Sequence, residues 1–191
     1  GEAVEQRPAD PMAWFYVGQL HQRAGAYAIA VAAFAHAERL AAGTPREALL
    51  LDSDFYFQYG AACERAGQTA RAEALLARAI ARDSSHVEAF NYLAYLWAER
   101  RVHLETALDY IRHALEEDPH NAAFLDTRGW IEFGMGRLRE AADSLQNALY
   151  FDPREPTILE HYGDVLDALG RRDEARAWWQ RSLEEAPDNA A

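Results

Sequence analysis

Lysine is missing from the 191 residues: all 19 basic side chains are arginine, set against 31 Asp and Glu for a net charge of −12. That balance excludes nucleic acid or an anionic membrane surface as the main partner, because both reward clustered cations. The Arg-only, Ala-rich usage reads as the codon bias of a GC-rich bacterial genome. Cysteine is nearly absent too. Cys63 has no internal disulfide partner and no companions for a Cys-based zinc site, so it reads as a small core filler. No apolar run approaches the ~20 residues of a membrane span, and "GEAVEQRPAD" at the start has neither a basic head nor an apolar signal core. A Gly-rich phosphate loop, an HExxH pair and a Ser elbow are all lacking. The seven histidines, His21, His36, His86, His103, His113, His120 and His161, are scattered along the chain. His113 and Asp109, four apart, read as a surface pair. These absences predict no catalytic residues, no metal and no cofactor.

What is present repeats. Half of the residues are apolar, enough for a real core. The stretches "WFYVGQLHQRAG", "YFQYGAACERAG", "FNYLAYLWAERR", "LDTRGWIEFGMG" and "LEHYGDVLDALG" align on a small residue at Gly18, Gly60, Ala94, Gly129 and Gly163, spaced 42, 34, 35 and 34. A second small residue follows each at Ala30, Ala72, Ala107, Ala141 and Ala175, with Phe34, Leu76, Ile111, Leu145 and Trp179 four further on. Two amphipathic helices per unit account for this pattern, and the small residues let their axes approach closely. Gly25, Gly67, Gly136 and Gly170 stand where each first helix ends, whereas the third unit has "AERRVHLE", longer by one and without glycine. The extra eight residues before the second unit contain "TPREALLLD". There Thr44 is expected to cap, Pro45 to open the helix and Glu47 to complete a capping box, giving a helical segment continuous with or bent from the helix of Tyr56.

This period and the W-x2-L-G-x2-Y, A-x3-F and P pattern resemble the tetratricopeptide repeat family. The resemblance implies an all-α, right-handed solenoid of about five helix-turn-helix repeats. They fall at 11–44, 53–86, 87–121, 122–155 and 156–191, with the helical insertion at 45–52. Residues 1–8 read as the end of a truncated preceding repeat, since Pro8 precedes Gly18 by the same ten residues that separate Pro119 from Gly129. Exposed solenoid ends would then favour weak self-association. More finely, "NYLAYLWAERR" through "LEHYGDVLDALG" is similar to the C-terminal repeats of bacterial envelope lipoprotein scaffolds that bind a carboxyl-terminal processing protease. Ala94 and Thr127-Arg128 depart from the NYLGY and DSLGW signatures of that group. The compartment is left open between a periplasm-facing outer-membrane lipoprotein and the cytoplasm.

In this family the exposed face of each first helix lines a concave groove. The partner-binding candidates on that face are Phe15, Gln19, Phe57, Asn91, Tyr92, Tyr95, Asp126, Trp130, Phe133, Glu160, His161 and Asp164, aromatic toward one end and acidic toward the other. Aromatic anchors beside polar groups suit a protein or peptide partner, a protease or its substrate among them; about half of the rings are expected to be mainly structural. The family's grip on a terminal carboxylate needs lysines that are absent here, so a ligand with apolar side chains and some basic character fits better. Arg128 is the odd residue, a cation where the other units have Val17, Tyr59, Leu93 and Tyr162. Two readings are open: a pair with Glu132, four residues on, or a stem that snorkels to water. The function expected is a non-catalytic scaffold, or alternatively a regulatory or sensing array of a larger protein whose enzymatic domain lies elsewhere.

Overall fold

A computed structural model describes residues 9–45 and 47–186. The expected tail of a preceding repeat, residues 1–8, and the closing Pro187 lie outside these residues. Every regular element described is a helix, and the chain divides into two compact units, residues 1–89 and 90–191.

The first unit holds α1 (Pro11–Arg23), α2 (Tyr27–Ala41), the short α3 (Glu47–Leu50), α4 (Ser53–Arg65) and α5 (Thr69–Arg82). Asp10 caps α1 by accepting from the Met12 N–H at 3.1 Å, and Pro11 follows at a position whose missing N–H costs nothing. Helices α1 and α2 pack on each other, as do α4 and α5. Gly25 (φ +72°) and Gly67 (φ +75°) turn the chain between them in the left-handed region. The core is aromatic: Phe34, Phe55, Tyr56 and Tyr59 are fully buried, with Phe34 5.7 Å from Tyr59 and 6.1 Å from Phe55. The two phenols keep hydrogen-bond partners as they sink, Arg78 for Tyr56 and Arg71 for Tyr59. Burial pushes the Tyr59 hydroxyl up to about 12 even with Arg71 opposing.

The insertion behaves differently from expectation. The Thr44 hydroxyl donates back to the Ala41 carbonyl at 2.6 Å, and the Glu47 carboxylate accepts from the Gly43 N–H at 2.7 Å. Thr44 can donate to a carbonyl of the helix it leaves as readily as it can cap the next one. Helix α3 begins at Glu47, not Pro45, and is separate from α4, which starts after its own cap, Asp52, accepting from the Phe55 N–H at 2.8 Å.

Helix α6 (Val87–Glu99) leads into the second unit, which continues with α7 (Leu104–Glu117), α8 (Ala122–Gly134), α9 (Leu138–Phe151), α10 (Pro156–Ala168) and α11 (Arg172–Glu185). One cluster centred on Leu145, Leu149, Ile158, Leu159, Val165 and Leu166 ties α8 to α11 together. Each such buried side chain stabilises by about 1.5–3 kcal/mol relative to exposure. The glycine-free turn keeps the same handedness at a cost: Arg101 (φ 52°) and His103 (φ 51°) are both left-handed, which disfavours side chains with a Cβ by about 1–2 kcal/mol each. The Val102 N–H bonds to the Trp97 carbonyl at 3.0 Å, and the His103 ring packs edge-on to Trp97 at 5.3 Å, contacts that offset the strain.

Candidate protein-binding face of the second unit

The first helices α6, α8 and α10 bring Tyr95, Trp130, Phe133 and His161 into one aromatic group. Trp130 stacks on His161 at 3.9 Å with 11° between the planes and on Phe133 at 5.0 Å, and Tyr95 lies 6.4 Å from His161. Tyr95, Trp130 and Phe133 are half-buried, so part of each ring stays available. Glu99 and Asp164 stand close to the His161 end of the group. The Trp130 indole N–H donates to the Glu99 carboxylate, Asp164 accepts from Trp179 Nε1 at 2.9 Å, and Glu160 is exposed.

Two of the candidates expected on the open face are instead core. Asp126 and His161 are only 6% and 5% exposed, and they join across repeats, His161 Nδ1 to Asp126 Oδ1 at 2.9 Å. A polar letter on a first helix reads as exposed only if the neighbouring repeat leaves it so; here α10 closes over Asp126, and burial is tolerable because each satisfies the other. Burial by itself would lower the His161 pKa, but the hydrogen bond to Asp126 and the charge of that carboxylate, with Glu99 and Asp164 behind it, prevail and hold it above the ordinary 6.5. A histidine whose folded pKa is raised contributes stability that is fully present below the unfolded pKa and is lost as pH rises through the folded one. We therefore expect the His161 ring, followed by NMR, to titrate above 6.5 in the native chain and at a lower pH in Asp126→Asn, where burial is opposed by Glu99 and Asp164 alone. Identical midpoints would show that the pair does not set the charge.

A cavity of about 290 Å³ opens beside this group, lined by Asn91, Tyr92 and Tyr95 of α6, Asp126 and Thr127 of α8, and Asp152, Glu155, Thr157 and Ile158 after α9. Asp152 and Glu155 were missed from sequence because they sit in the "DPREP" turn, read there only as punctuation.

The first unit does not assemble a comparable group. Phe15 is half-buried against Phe34 (5.9 Å) and Phe55 (5.7 Å), a core contact above all. Gln19 lines a separate cavity of about 320 Å³ with Phe15, Leu49 and Gln58, and Phe57 packs on His86 at 5.0 Å.

Arg128 finds a third party. Its Nε donates to Ser144 Oγ at 3.0 Å and that hydroxyl donates to Glu132 Oε2 at 2.6 Å, while the direct Arg128–Glu132 distance is 4.0 Å. The pair is thus relayed through α9, and the Arg128 side chain remains 30% exposed, so both readings of it hold in part. Burial pushes the Glu132 carboxyl up, opposed by Ser144 and Arg128. Arg128→Leu should destabilise by about 1–2 kcal/mol by leaving Glu132 short of a partner, and Ser144→Ala by a similar amount. Chemical denaturation of both singles and the double should show strong non-additivity; additive losses would mean that Arg128 acts alone.

Nearest to a nucleophile–base pair is Ser53 beside His86, Oγ to Nδ1 at 2.6 Å, in the first unit. Ser53 Oγ also donates to the Ala79 carbonyl at 2.9 Å, it is buried, and the carboxylates of Asp54 (3.8 Å) and Glu88 (3.9 Å) stand beyond hydrogen-bonding distance of His86 Nε2. The contact ties α5 to α4 and presents no attacking oxygen. Cys63 is fully buried, its thiol pushed up to about 11 by that burial, and unreactive on that account. Among the described residues no three His, Cys, Asp or Glu converge to hold a metal, and no helix is long and apolar enough to cross a membrane.

Paired helices that recur at a near-constant interval, each pair closed by a small residue facing a large one, define a helical-repeat protein. Two sequence models of the tetratricopeptide repeat match, over residues 53–96 and 127–190, together more than half of the chain. The chain belongs to the tetratricopeptide repeat family. Solved structures of MamA share the fold. That of strain MSR-1 is 22% identical with a TM-score of 0.67, covering 94% of this chain and 98% of that one. That of strain AMB-1 is 24% identical at 0.69, covering 93% and 99%. Residues 41 to the end of MamA from Desulfovibrio magneticus RS-1 are 16% identical at 0.73, covering 95% and 97%. No curated protein sequence matches the chain.

Proposed function

We propose that this chain is a non-catalytic scaffold that holds a segment of another protein along α6, α8 and α10 of its second unit. The observation that carries the reading is the group in which half-buried Tyr95, Trp130 and Phe133 gather about His161, with Glu99 and Asp164 close by. Repeat arrays bind through extended surfaces of this kind, and rigid rings beside polar groups supply area at small entropic cost. Packing within the unit is already satisfied by Leu125, Ile131 and Leu159, all buried, which leaves the outer ring faces for a ligand. The acidic rim favours a segment with basic character and disfavours a terminal carboxylate. A carboxyl-terminal processing protease or one of its substrates is the first partner to try.

A random peptide display selected on the whole chain supplies ligands for the test. Tyr95→Ala and Trp130→Ala should each weaken the selected peptides by about 1–2 kcal/mol, as interface anchors do. Raising the salt concentration should weaken them further. Peptides that bind both variants as tightly as the parent would place the binding face elsewhere.

A further inference from the structure

We propose that the cavity between α6, α8 and the turn after α9 is a receptor for a guanidinium group, the arginine side chain of a segment seated on the second unit. The inference rests on the reading of that face as a partner-binding one and names its anchor. Four features converge on it. The cavity, about 290 Å³, suits one side chain better than a drug-sized molecule, whose pockets run ~300–1,000 Å³. Its ionisable lining is wholly acidic, the carboxyls of Asp126, Asp152 and Glu155 and the phenols of Tyr92 and Tyr95, with no arginine or histidine among the lining residues. His161 answers Asp126, but among the described residues Asp152 and Glu155 are engaged only by the long backbone contacts from the Arg154 N–H (3.4 Å) and the Thr157 N–H (3.5 Å). Each carboxylate therefore retains acceptor capacity. The nearby cation Arg154 is committed to Glu185, donating to it at 2.8 to 3.0 Å.

The fourth feature selects the kind of cation. Asn91 Oδ1 is buried and accepts no hydrogen bond among the described residues, and Asn91 lines the cavity. Asn91 shares α6 with Tyr92 and Tyr95, so a cation seated among these residues lies beside aromatic rings as well as polar groups. A guanidinium brings five N–H donors in a plane and stacks on aromatic faces, whereas an ammonium is a compact, strongly hydrated point charge. The chain seats its own guanidinium groups this way: Arg78 lies 4.0 Å from the centre of the Tyr56 ring while donating to that hydroxyl and to Glu38.

N-acetylarginine amide, N-acetyllysine amide and the isosteric but neutral N-acetylcitrulline amide, titrated into the whole chain at low salt, provide the test by two-dimensional NMR. The arginine probe should saturate shifts at the Asn91 side-chain amide and the Thr127 backbone, with lysine several-fold weaker and citrulline at least tenfold weaker. The double change Asp152→Asn with Glu155→Gln, which keeps an acceptor for both backbone N–H groups, should weaken the arginine probe at least fivefold. Asn91→Ala serves as a second variant should that one unfold, with the same loss expected. Equal binding of arginine and citrulline, or shifts confined to other surfaces, would overturn the proposal. Peptides from the display that need Tyr95 and Trp130 but carry no arginine would overturn the anchor and leave the face standing. Saturation by N-acetylarginine amide, with no peptide needing either ring, would overturn the seated segment.

Discussion

Phe34→Ala should remove about 3–5 kcal/mol of unfolding free energy, the range for deleting a buried aromatic ring from a core that cannot collapse around the gap. Phe34 is fully buried and touches the rings of Phe15, Phe55 and Tyr59 at 5.7 to 6.1 Å, so contacts from α1 and α4 close on one side chain of α2. On its other side it lies under Gly18, where an added Cβ would stand 2.7 Å from the ring. That glycine leaves no side chain able to swing into the hole. Urea unfolding followed by circular dichroism measures the effect, and the loss should fall on the transition of the first unit, because repeat arrays need not unfold as one. A loss below about 1 kcal/mol would show that the aromatic core repacks freely, against the close-packed behaviour of interiors.

Gly129 carries the second large effect, with the sign set by competition. Alanine within a helix is favoured over glycine by about 1 kcal/mol, so on an open surface Gly129→Ala would stabilise. Here a Cβ would meet Leu145 Cγ at 2.7 Å and the Ala141 carbonyl oxygen at 3.2 Å, and Leu145 is fully buried with nowhere to retreat. Overpacking of this sort costs about 1–3 kcal/mol and occasionally more. Gly129→Ala should therefore destabilise on balance, and Gly129→Val, which pushes two further methyl groups into the same crossing, should lose about 3 kcal/mol or more. Thermal melts of both variants decide the matter; an alanine variant that melts higher than the parent would mean that α8 and α9 can move apart without penalty.

Much of the fold was legible because it is local. Period, capping and turn chemistry act within a few residues, so "RAG" and "ALGR" mark helix ends, and the spacing of the small residues marks helix crossings from the order of the letters alone. Helix periodicity also turned Tyr92, Tyr95 and Trp130 away from the packing stripe, and all three keep part of their surface exposed. Where the reading slipped, it did so by a residue or two at a helix end, as at the insertion, whose helix runs Glu47–Leu50 and leaves Pro45 in the turn before it.

By itself, then, the sequence determined the class of the protein: paired amphipathic helices at a near-constant interval, a strongly acidic charge balance, and crossings that demand a small residue. Tertiary structure decided which polar groups are spent inside. Asp126 and His161 are 35 residues apart and belong to different repeats, and nothing in either helix alone says that the next one will close over it. Arg128 and Glu132 share a face by sequence, yet the hydroxyl that joins them comes from Ser144 across the hairpin. The physical reason is the same in both cases. Helix periodicity specifies the direction of a side chain about its own axis, whereas burial and pairing depend on what the neighbouring helix presents at that height, and stacking alone sets that.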